Sequence, residues 1–89
     1  MYLSRFLKKL IKKDGFVLID ANLNRHVIGK PQKENPITLK LLDKKLHYKL
    51  LLFPDLYFGE AYTEGSLKIE NGNLTEFLDL VQKNIGKGE

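Results

Sequence analysis

The chain contains no cysteine. That absence excludes disulfide staples, thiolate metal sites and thiol nucleophiles together, and it fits a reducing compartment. No apolar run approaches the ~18 consecutive residues that a membrane-crossing helix needs. The first residues lack an apolar stretch followed by a small-residue cleavage site, so they do not read as a secretory signal. Proline is confined to Pro31, Pro36 and Pro54, and there is no internal repeat or low-complexity tract. Acids are scarce in one half only. Residues 1–49 hold twelve Lys/Arg against Asp14, Asp20, Glu34 and Asp43, whereas residues 50–89 hold three lysines against seven acids. Such asymmetry favours a basic surface facing phosphate-bearing partners, unless folding interleaves the two halves.

A chain of 89 residues is one domain or a fragment of a larger protein. At this size roughly 60–65% of the unfolded surface is buried, enough for one modest core. Residues 1–85 read as that domain, and 86–89 as a tail or the start of a linker. The clearest element covers residues 2–13. Leu3, Phe6, Leu7, Leu10 and Ile11 recur at helical spacing, while Arg5, Lys8, Lys9, Lys12 and Lys13 fill the opposite arc. Asp14-Gly15 then stops the helix.

Phe16–Ile19 and His26–Ile28 read as a hairpin across a turn-prone loop, closed by Gly29. A polar connection with two prolines leads to the alternating strand Ile37–Leu41. Asp43 is placed to cap a helix through Phe53, which Pro54 prevents from continuing. Leu67 and Ile69 alternate with Lys68 and Glu70 in a fourth strand. Asn73 and Glu76 then have the spacing of a capping box for a last helix from Leu74, with Phe77, Leu78 and Val81 on its apolar face. The order is α-β-β-β-α-turn-β-α. It predicts an α+β fold, a small antiparallel sheet of about four short strands with helices packed on it.

Between Pro54 and Leu67 the chain reads Leu56-Tyr57-Phe58-Gly59-Glu60-Ala61-Tyr62-Thr63-Glu64-Gly65. Two glycines bracketing two carboxylates suggest a shaped turn at Gly59, Glu60, Tyr62 and Gly65, rather than a simple helix or strand. This G-E-A-Y-x-E-G pattern resembles the N-terminal domain of cyclopropane-fatty-acyl-phospholipid synthases and related S-adenosylmethionine-dependent methyltransferases. The resemblance runs from about Phe16 onward, through Pro36-Ile37-Thr38-Leu39-Lys40-Leu41 and the segment ending Leu52-Phe53-Pro54-Asp55. It departs at Ser66-Leu67, where the bacterial synthases commonly carry tryptophan. A weaker, fold-level likeness is to sterol-carrier-protein lipid modules.

The resemblance implies a non-catalytic, lipid-facing domain in the cytoplasm, peripheral to the inner face of the membrane. Its partners would be a phospholipid bilayer or acyl chain and its own C-terminal catalytic domain, and a homo-oligomer is compatible with it. Methylene transfer from S-adenosylmethionine would belong to that separate domain, so no catalytic residue and no cofactor are assigned here. Gly86-Lys87-Gly88 is the only G-x-G, and no strand precedes it.

Phe53, Leu56, Tyr57, Phe58, Tyr62, Phe77, Leu78 and Val81 are the candidates for an apolar pocket, set against their use as ordinary core and rim residues. Arg5, Lys8, Lys9, Lys12 and Lys13 are the candidates for phosphate contact. Glu60 and Glu64 read as solvated carboxylates, and His26 and His47 as isolated histidines rather than metal ligands. A nucleic-acid-binding module would also use the basic half. It lacks a matching signature, however, and the tyrosines cluster in the acidic half. A plain protein-interaction domain is the remaining alternative.

Overall fold

In a computed structural model of the chain, the structure describes residues 2–85; the tail expected at 86–89 lies outside them. The elements run α1 (Tyr2–Leu10), β1 (Gly15–Ile19), β2 (Arg25–Gly29), β3 (Thr38–Leu41), α2 (Leu46–Leu52), α3 (Pro54–Glu64), β4 (Leu67–Asn71) and α4 (Leu74–Ile85). Fold class and element order agree with the α+β reading, apart from one added helix, α3.

The sheet has the order β2-β1-β3-β4 and is mixed, not wholly antiparallel. β1 pairs antiparallel with β2 and β3 with β4, but β1 and β3 run parallel, with Val17 opposite Thr38 and Leu18 opposite Leu39. The connection over 30–37 is the cause. β2 brings the chain back to the start of β1, with Gly29 opposite Gly15, and this polar stretch carries it past that end to the free side of β1, where β3 enters in the same direction. Hydrophobic alternation sets which face of a strand is buried, whereas the direction of its neighbour depends on how the connection runs.

One face of the sheet, carrying Phe16, Leu18, Ile28, Leu39, Leu41 and Leu67, packs against the helices through Leu3, Leu46, Leu50, Ala61, Phe77 and Leu80. The alternation of a pleated strand sends the intervening residues to the other face. There Lys40 pairs with Glu70 at 3.8 Å. Phe77 anchors α4, meeting Phe16 edge-on at a 5.1 Å centroid separation and stacking on Phe58 at 5.3 Å.

Helix boundaries differ in three places. α2 begins at Leu46 and not directly after Asp43: Lys45 holds the N-cap position without a side-chain cap, because the Asp43 carboxylate is used one turn earlier, accepting from the Lys45 amide at 2.9 Å. α1 stops at Leu10, three residues short of the expected end. The Asn84 side chain then takes over the freed backbone: its Oδ1 accepts from the amides of Lys12 (2.7 Å) and Lys13 (2.6 Å), and its Nδ2 donates to the Lys13 carbonyl. The segment read as a shaped turn is the helix α3. Pro54 occupies its first turn, where a missing N–H costs nothing, and Gly65 closes it in the left-handed region at φ 91°. Gly59 lies inside this helix on an exposed side, where a Cβ would meet nothing within 4 Å. The cost of a mid-helix glycine, about 1 kcal/mol, is offset here by burial of Ala61 and packing of Phe58.

Candidate functional site

The helical layer does not close over the sheet. Beneath it lies a cavity of about 270 Å³, bordered by α1, α3 and α4, with the strands as its floor. Its walls come from every helix: Leu3, Phe6, Leu7 and Leu10 from α1, Leu50 from α2, Pro54 and Phe58 from α3, and Phe77, Leu78 and Val81 from α4. Phe16, Leu18, Leu39, Leu41 and Leu67 form the floor, and Ile11 completes the lining. No polar side chain is among them. Each is placed by the local rule that built its element, the 3.6-residue period in α1 and α4 and the two-residue period in the strands.

About 150 Å³ of apolar space is enough to admit benzene, so this larger, partly open hollow has room for a section of hydrocarbon. With no polar side chain in its walls, the cavity can bind by shape and desolvation but has no group for acid–base chemistry.

The eight pocket candidates divide. Phe58, Phe77, Leu78 and Val81 line the cavity, whereas Phe53, Leu56, Tyr57 and Tyr62 do not. Phe53, Leu56 and Tyr62 are exposed. Tyr57 is half-buried, 6.2 Å from the Phe53 ring and beneath the Lys49 ammonium at 5.1 Å. The residues missed by sequence reasoning are chiefly those of α1 and of the floor. α1 showed an apolar arc, but nothing in the chain indicated that part of that arc faces a void.

The motif residues Glu60 and Tyr62 are exposed on α3, as is Glu64. Arg5, Lys8, Lys9, Lys12 and Lys13 are all exposed, while Leu3 and Ile11 are buried, so α1 docks on the core by its apolar arc and offers its cations to solvent.

The two histidines are not isolated from one another. His26 Nε2 lies 2.8 Å from Asp20 Oδ2, and His47 Nε2 accepts a hydrogen bond from the Ala21 amide at 3.0 Å. Both border a hollow that also includes Asp20, Tyr2 and Tyr48. Asp20 is buried, and its Oδ1 accepts from the amides of Asn22 and Asn24, which fixes the β1–β2 loop. Burial pushes this carboxyl up. The hydrogen bond to His26, the amides of Asn24 and Asn22 and the charge of His26 together outweigh it, holding Asp20 below the ordinary value. Among the described residues no group of three or more His, Cys, Asp or Glu is arranged to hold a metal ion, and no helix is long and apolar enough to cross a membrane. No described strand leads through a G-x-G-x-x-G turn into a helix. Comparison with family models, curated proteins and solved structures finds no match to the chain.

Proposed function

We propose that this chain is a non-catalytic, lipid-facing domain whose cavity takes the acyl chain of a phospholipid. It would serve an enzyme of the cyclopropane-fatty-acyl-phospholipid synthase type, with the S-adenosylmethionine chemistry residing in a separate domain. The observation that carries the reading is the cavity of about 270 Å³ walled only by apolar side chains. The exposed arc of Arg5, Lys8 and Lys9 on α1 supports it, because cations at a membrane surface are drawn to anionic head groups. On this reading the domain works at the cytoplasmic face of the membrane, beside its own catalytic domain.

The test is titration of the isotopically labelled chain with a lysophospholipid below its micelle concentration, with glycerol phosphate as the polar control. Lysophospholipid should shift the resonances of Phe58, Phe77 and Leu78, and glycerol phosphate should not. Val81→Phe, which intrudes on the cavity, should weaken binding about tenfold, the equivalent of 1.4 kcal/mol of lost contact. Shifts confined to Lys8, Lys9 and Lys12 would move lipid contact to the outside of α1 and remove the cavity reading.

A further inference from the structure

The two histidines use the same ring nitrogen in opposite ways, and only one of those ways survives a proton. His26 Nε2 lies 2.8 Å from Asp20 Oδ2. An ionised carboxylate can only accept, so this nitrogen donates, and it does so in the neutral Nε2–H ring and in the imidazolium alike. His47 Nε2 lies 3.0 Å from the Ala21 amide. A backbone N–H can only donate, so this nitrogen carries no proton. Protonation of His47 therefore sets N–H against N–H and removes the bond, whereas protonation of His26 leaves its bond in place.

The bond at risk joins the β1–β2 loop to the start of α2 across 26 positions of sequence. Lys45 holds the N-cap position of α2 with no side-chain cap, so the first turn is not fastened in the usual way. Leu46 secures the helix to the core by its apolar side, and the half-buried His47 ties it to the loop. The other bonds of the loop do not depend on a histidine being neutral. Asp20 Oδ1 accepts from the amides of Asn22 and Asn24. Although burial pushes the Asp20 carboxyl up, the bonds from His26, Asn24 and Asn22 hold it below its ordinary value. It therefore stays charged across about pH 5 to 8, where imidazoles ordinarily change charge. The titratable groups that border the hollow with His47 are Asp20 of the loop, His26 of β2, Tyr2 of α1 and Tyr48 of α2, and α3, which also packs on α2, contributes none. On its own segment the exposed Lys44 and Lys45 precede His47, Asp43 accepts from the Lys45 amide, and Lys49 lies over the Tyr57 ring. Negative charge from Asp20 and positive charge from the lysines thus act on the ring with opposite sign.

We propose that His47 is a proton-operated latch: at neutral pH its Nε2 holds the β1–β2 loop against the start of α2, and in mild acid that bond breaks and the hollow between them opens, while Asp20 and His26 keep the loop itself in shape. Leu46 and Leu50 remain anchored in the core, so the release is local and leaves the fold intact. The latch is independent of what fills the apolar cavity.

Amide hydrogen exchange of the full chain tests it, with rates taken at each pH relative to an unstructured peptide so that the intrinsic pH dependence cancels. Between about pH 7.5 and about pH 5, protection at Ala21 should fall about tenfold, the scale of one lost hydrogen bond, while Asn22 and Asn24 keep theirs. His47→Gln offers an amide oxygen as the acceptor, one that takes up no proton in this range, and its Ala21 protection should not change with pH. Nitrogen-15 spectra of the parent give a second reading that needs no variant: at neutral pH Nε2 should be the unprotonated ring nitrogen in His47 and a protonated one in His26. A His47 ring protonated at Nε2 at neutral pH overturns the proposal. So does Ala21 protection that is constant with pH in the parent or that falls equally in His47→Gln. Protection lost together at Ala21, Asn22 and Asn24 also overturns it, because the loop would then be opening as one piece.

Discussion

Asp20 shows how much one side chain can organise. It holds two amides of its own loop with one oxygen and the His26 ring with the other, while His47 fastens the next amide of that loop, at Ala21, to α2. Its folded-state pKa is lowered, so its contribution to stability is fully present above the unfolded carboxyl value of about 3.9 and is lost as pH falls through the lower folded value. Asp20→Asn should therefore destabilise the domain at neutral pH by about 1–2 kcal/mol, the scale of lost charge-assisted hydrogen bonds. The gap from the parent should close in strong acid. Urea unfolding of both proteins across that range measures it, and a gap that stays constant with pH would mean the Asp20 charge is not what holds the loop.

Among the elements, α3 gives the sharpest contrast, because its two glycines play opposite parts. Gly65 ends the helix in a left-handed conformation, with its amide donating to the Ala61 carbonyl at 3.0 Å. Gly59 is an exposed helical residue with open space around it. Gly65→Val should cost about 1–3 kcal/mol in backbone strain. Gly59→Ala should instead stabilise by about 0.5–1 kcal/mol. Thermal melts of the two variants decide the matter, and destabilisation by Gly59→Ala would return that position to a shaped turn. α4 posed no such difficulty. Its capping box forms as the spacing required, with the Glu76 amide donating to Asn73 Oδ1 at 2.9 Å and the Asn73 amide to Glu76 Oε1 at 3.2 Å.

For the whole molecule, the open question is why a domain with so little core leaves a cavity in it. Space that apolar side chains could fill forfeits dispersion and burial, so an unfilled void is a cost to the empty protein. Val81→Phe should then raise the stability of the ligand-free chain by about 0.5–2 kcal/mol, the usual gain from cavity filling, while weakening lysophospholipid binding. Chemical denaturation without lipid provides the check. A loss of stability would mean that Val81 is already tightly packed and the void has no room at that position. Gain of stability with loss of binding is the pattern expected of space kept open for a ligand.

The sequence by itself determined the pieces whose causes are local. The period of Leu3, Leu7 and Leu10 made α1 and chose its buried side; alternation made β3 and β4; Asn73 with Glu76 started α4; Pro54 ended α2. Other features needed the tertiary structure because their causes lie far apart in the chain. The parallel pairing of β1 with β3 follows from the path of residues 30–37. Asn84 replaces the last turn of α1 from more than seventy residues away. The Gly59 segment is helical because Pro54, Ala61 and Gly65 give it a start, a packed face and a stop, and composition alone weighs the glycines without that context. Of the candidate site, Phe58, Phe77, Leu78 and Val81 were legible as apolar residues near one another in kind. That they face a void, while Phe53 and Leu56 face solvent, was decided by how α1, α3 and α4 rest on the sheet. Periodicity tells which side of an element is apolar, and only packing tells whether that side meets another side chain, a cavity or water.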